Sequence, residues 1–172
     1  MKLITIFLLL LAALNLHALT VGEIPKEVSL SGDNGGLASN GELWSSSSLK
    51  DKIFVMFYVD PDEKGVNEHY SKALKAKKYN KNNFASIAIV NLDATWKPNF
   101  IIESLLKSKQ EEFPNTLYVK DKNRVLVKEW EVGDDASNVL VFSKMGKLLF
   151  YKSGAMSEED MQKSFKIIEE NL

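Results

Sequence analysis

The 172-residue sequence contains no cysteine. That absence removes disulfide staples and thiolate metal ligands, together with every reaction that runs through a thiolate nucleophile. Stability must therefore come from a hydrophobic core, which a chain of this size can build. Histidine is nearly absent too, with only His17 and His69, so His69 of the mature chain has no partner histidine or cysteine for a zinc site. There is no basic excess: 22 Lys and Arg stand against 23 Asp and Glu. A nucleic-acid binder normally shows the opposite balance. No Gly-x-Ser-x-Gly elbow marks a nucleophilic serine. Beyond the first residues no apolar run approaches the roughly 20 residues that a membrane-spanning helix requires.

What is present begins with Lys2, an apolar run of about a dozen residues over 3–14, and Ala18. This order of charge, apolar core and small residue is that of a secretory signal, with cleavage expected after Ala18. No cysteine follows to carry a lipid anchor. The expectation is an exported, periplasmic protein, divided into a signal peptide at 1–18 and one domain at 19–172. Lys2 would leave with the signal, so 21 basic residues would face 23 acidic ones.

Residues 29–48 are rich in Gly, Ser and Asn and read as a hairpin with loops, tied down by Leu43 and Trp44. Residues 53–59 are continuously apolar, as in a central strand buried on both faces. A break at 60–65 precedes a helical stretch at 66–79, with Tyr70, Ala73 and Leu74 on one face. A second buried strand follows at 84–90, then a helix at 100–110. Residues 116–119 and 125–127 flank a polar turn and read as strands. Residues 139–142 and 147–151 form a hairpin around Gly146. Ser157 and Asp160 form a capping-box pair that opens the last helix. Crossover helices imply parallel strands, and the late hairpin adds antiparallel ones. The fold class is α/β, a mixed central sheet flanked by helices with an N-terminal hairpin extension.

This order resembles the extended thioredoxin-like fold of the peroxiredoxin and TlpA-like proteins. Val21-Gly22-Glu23-Ile24-Pro25, the 49–55 entry into the first buried strand and the closing hairpin at 139–154 carry the resemblance. The chain is also similar to the YtfJ family of periplasmic thioredoxin-fold proteins. Asn67, the segment 89–93, the segment 126–130 and the stretch 138–157 carry that similarity. The resemblance implies where a redox centre would lie: just past the first buried strand, with thiol slots near Asp62 and Gly65. It also implies a cis proline ahead of the late hairpin, where 133–138 contains no proline. Both parts of a thiol-handling site are missing, so neither disulfide exchange nor thiol peroxidase activity is expected.

The expected function is therefore non-enzymatic binding of a periplasmic protein or peptide, with no cofactor and no metal. The candidate surface is the degenerate active-site edge: Asp60, Asp62, Glu63, Lys64 and Asn67, then Asn91, Asp93 and Trp96, then Ser137 and Asn138. One alternative is a cysteine-independent hydrolase using the carboxylates of the 60–64 loop. Another is a small-ligand or metal carrier, although a calcium loop counted from Asp60 would put Lys64 and Ser71 at ligand positions. Lys72, Lys75, Lys77, Lys78 and Lys81 form a basic stretch suited to a solvated helix face, with an anionic partner as the other reading.

Overall fold

A computed structural model describes residues 19–172; the expected export signal at 1–18 lies outside the described residues. Two short strands, β1 (Ser29–Leu30) and β3 (Trp44–Ser45), pair antiparallel, as the Gly- and Ser-rich stretch predicts. Trp44 is buried, but Leu43 is exposed and does not tie the segment down. Between these strands, β2 (Gly35–Leu37) leaves the hairpin and joins the main sheet instead. Gly35 has φ 126°, and a Cβ there would lie 1.8 Å from the Lys120 carbonyl oxygen. Only glycine fits that approach.

The main sheet has the order β2, β6 (Thr116–Asp121), β5 (Phe84–Asn91), β4 (Ile53–Val59), β7 (Ser137–Phe142) and β8 (Leu148–Ser153). Its centre is β4, parallel to β5, which is parallel in turn to β6. On the other side β7 runs antiparallel to β4 and forms the expected hairpin with β8. Gly146, at φ 77°, makes its turn.

Alternation along the strands divides the core in two. Met56, Tyr58, Ile87, Ile89 and Val119 face one way, against Leu30, Trp44 and the short helix α3 (Val125–Trp130). Val55, Phe57, Val139 and Val141 face the other way. They pack under α1 (Glu68–Ala76) through Tyr70 and Leu74, and under α4 (Glu158–Asn171) through Met161, Phe165 and Ile168. Ile102 and Leu106 of α2 (Asn99–Glu112) reach Tyr118 of β6 in a smaller, separate cluster.

Residues 125–127 are helical, not a strand. The side chain of Asp121 is responsible. Its carboxylate accepts from the backbone N–H groups of Asn123 (3.2 Å), Val125 (2.9 Å) and Leu126 (3.0 Å). Capping of the first helical N–H groups outweighs the modest strand preference of two valines. Helix α1 begins at Glu68, two residues later than its pattern predicts, with Asn67 as an N-cap whose side chain makes no cap bond. The capping box of Ser157 and Asp160 forms as expected.

Candidate functional site

Of the ten residues of the degenerate edge, half are buried: Asp60, Asn67, Asn91, Ser137 and Asn138. Their polar groups hold the edge together. Asn67 Nδ2 donates to Ser137 Oγ (3.0 Å) and to the Gly154 carbonyl (3.0 Å), while its Oδ1 accepts from Met156 N (2.8 Å). Asn138 Nδ2 donates to the carbonyls of Tyr58 (3.2 Å) and Gly133 (2.8 Å). Its Oδ1 accepts from Gly133 N (3.0 Å) and from the Tyr151 hydroxyl (3.2 Å). Asn91 Nδ2 donates to Asp134 (3.0 Å). Asn67 and Asn138, bonded at both ends of the amide, fix loops relative to strands, whereas Asn91 Oδ1 is buried without a partner among the described residues.

The Asp60 carboxylate accepts from the backbone N–H of Asp62 (2.7 Å). Burial holds its carboxyl above the ordinary value of 3.8, and the nearby Asp135 and Glu63 charges add to the effect. Asp62 is ion-paired with Lys97 and accepts from Thr95 Oγ1 (3.1 Å). Asn67 and Asn91, the groups that could have faced these carboxylates, are bonded elsewhere. Among the described residues, no group of three or more His, Asp or Glu side chains is placed to hold a metal ion. The slots near Asp62 and Gly65 lie on turns ahead of α1 and carry no thiol.

The sequence reading missed Arg124, the residue that organises this edge. It pairs with Asp93 (2.9 Å) and Asp134 (2.7 Å) and donates to the Asp93 carbonyl (3.0 Å). It thereby ties the loop after β5 to the loop before β7. Its backbone is left-handed, at φ 53°. Sequence spacing carries no signal for such a bridge. Trp96, at 86% exposure, and Phe100, at 73%, stand in solvent at the start of α2.

Beside this edge the structure opens a cleft of about 880 Å³ between α1 and α2. Lys64, Asn67 and Ser137 of the candidate edge line one end. Its origin is local. On the α1 side β5 presents the small residues Ser86 and Ala88, while the opposite face of the same strand carries Ile87 and Ile89. Tyr70 and Leu74 of α1 pack toward β4, and Ile102 and Leu106 of α2 pack toward β6. The space between is left unfilled. Ser86 and Ala88, small residues between the bulkier Phe84 and Val90 on the same face of the strand, were the available signal. The volume falls within the range of about 300–1,000 Å³ usual for ligand sites. His69 is exposed and its Nε2 lies 2.9 Å from the Met156 carbonyl. Among the described residues, no helix is long and apolar enough to cross a membrane.

A family model described as a bacterial protein of unknown function, YtfJ_HI0045, matches residues 25–171. The chain is 25% identical over 151 residues to the YtfJ protein of Escherichia coli, covering 80% of this chain and 82% of that one. It is 24% identical over 128 residues to a Haemophilus influenzae protein, covering 73% and 70%. Among solved structures, it is similar to the exposed lipoprotein thioredoxin Etrx1 of Streptococcus pneumoniae, with a TM-score of 0.56 and 15% identity over 82% of this chain and 98% of that one. A peroxiredoxin-like protein of Aquifex aeolicus gives a TM-score of 0.57 and 15% identity, over 88% and 89%. These likenesses are of fold: the scaffold is thioredoxin-like, and here it carries no cysteine.

Proposed function

The chain belongs to the YtfJ family of bacterial proteins of unknown function, and from that premise we propose that it is an exported, non-enzymatic binding protein whose ligand site is the cleft between α1 and α2. The observation that carries this reading is the cleft itself: about 880 Å³, floored by strands and continuous with the old active-site edge. Three further features support it. Thiol chemistry has no thiol to run on. The Asp60 carboxylate accepts from backbone, and that of Asp62 is engaged with Lys97 and Thr95. The composition of residues 1–18 supports a periplasmic location.

The test is a neutral solvatochromic dye such as Nile red. It is expected to bind the purified protein with blue-shifted, brightened emission, and to lose at least about tenfold in affinity when Ala88→Leu fills the floor. Equal dye binding by parent and variant would overturn the reading.

Trp96 and Phe100 support a second reading, peptide docking on the edge, because two large aromatic side chains there are exposed. A photocrosslinker at position 96, introduced in the native compartment, should then yield protein adducts. Their absence, with adducts from a control surface, would sink it.

A further inference from the structure

We propose that the occupant of the cleft is a single-chain anionic amphiphile, one acyl chain bearing a carboxylate or phosphate head; this rests on the cleft being the binding site. The interior and the rim of the cleft differ in chemistry. The interior is apolar: Val59, Ala88 and Val90 from the strands, Leu74 from α1, Leu105 and Leu106 from α2. The rim is cationic. Lys64, Lys72, Lys75 and Lys78 line it along α1 and its flanks, and Lys52, Lys81 and Lys109 line it from other segments. Glu68 is the single acidic residue among the lining residues.

Part of that charge is already engaged. Lys72 and Lys109 approach Glu68 at 3.0 and 3.8 Å, and Lys75 Nζ donates to the Glu112 carbonyl at 2.7 Å. Among the described residues, Lys64, Lys78 and Lys81 have no ion-pair partner. Lys64 follows β4, whereas Lys78 and Lys81 lie between α1 and β5. Because α1 runs back along the parallel pair, these cations fall toward opposite ends of a trough. The nine residues of α1 span about 14 Å at 1.5 Å per residue. Lysine stems can lie along apolar walls while their ammonium groups stay in water, where they meet a head group.

This pattern selects among ligands. A neutral hydrocarbon would leave the cationic rim unused, and a compact anion would leave the apolar floor uncovered. A peptide strand could not extend the sheet at the floor, because β4 and β5 are each paired on both sides.

The test is displacement of Nile red from the full chain by palmitate, by lysophosphatidate and by the neutral 1-palmitoylglycerol, with inorganic phosphate as a chainless control. Palmitate or lysophosphatidate should displace the dye, and the stronger of the two identifies the head. The neutral lipid should be at least about tenfold weaker, and phosphate alone inactive. Each methylene removed from the acyl chain should weaken displacement about fourfold. The triple variant Lys64→Ala, Lys78→Ala and Lys81→Ala should weaken the anionic lipids about tenfold relative to 1-palmitoylglycerol. Thermal melting of that variant checks that it is folded. Palmitoylglycerol matching the stronger of the two anionic lipids, phosphate competing alone, or a triple variant that behaves like the parent would each overturn the assignment of ligand class. The cleft as a site would survive those outcomes, because it stands on the dye and Ala88→Leu.

Discussion

Asn67 joins α1 to Ser137, Gly154 and Met156, positions 70, 87 and 89 residues further along the chain. One amide with its donor and acceptor ends both committed does the work of a clasp between the first helix and the closing hairpin. Asn67→Ala leaves the Met156 N–H without this acceptor and should lower unfolding free energy by about 2–4 kcal/mol, measured by urea titration. Asp60 is the contrasting case at the same edge. Burial, with Asp135 and Glu63, holds its carboxyl above 3.8, so the fold favours the protonated form. Any contribution from that proton is present at low pH and is lost as pH rises through the folded value. Asp60→Asn keeps an oxygen for the Asp62 N–H. It should therefore be more stable than the parent at pH 7, with the advantage gone below pH 3.8, as read by melts across pH.

At the scale of elements, α3 and α4 are both decided by carboxylates at their starts. Asp121 is fully buried, accepts three backbone N–H groups and also accepts from the Tyr58 hydroxyl at 3.1 Å. Asp121→Ala should cost about 3 kcal/mol and open 125–130 to limited proteolysis before the rest of the chain. Asp160 caps α4 from the surface. A hydrogen bond from Lys152, then those from Ser157, hold its carboxyl at about 2, below the ordinary 3.8. A depressed carboxyl stabilises the fold when ionised. Its contribution is present above 3.8 and is lost as pH falls toward about 2. Asp160→Asn should flatten the acid limb of a stability-against-pH curve in that window.

The two caps differ in legibility. Ser157 and Asp160 stand three apart just ahead of an apolar pattern, so the helix could be read from spacing. Asp121 looks like one more polar residue in a turn. Its effect depends on being buried against Tyr58, 63 residues away.

At the scale of the molecule, a two-faced sheet is covered unevenly. The face that packs α3 and the N-terminal hairpin is filled by Met56, Tyr58, Ile87 and Ile89. The other face carries α1, α2 and α4, with α1 and α2 standing apart over Ser86 and Ala88. Because the added bulk enters open space, Ala88→Leu should melt no lower than the parent while closing the cleft. A melting temperature lower by several degrees would mean that the floor is already packed.

Composition and pattern by themselves determined that no thiol chemistry is possible, that the centre is a parallel β4–β5 pair, and that a hairpin and a capped helix close the fold. Those are local properties: residue chemistry, periodicity and turn residues act over a few positions. Only the tertiary structure decided that Asn67, Asn91, Ser137 and Asn138 are fasteners within the candidate edge, that Arg124 bridges its loops, and that β2 joins the main sheet. It alone opened the cleft. Each of these depends on which distant groups meet, and burial gives a side chain its role only once the partner across the fold is in place.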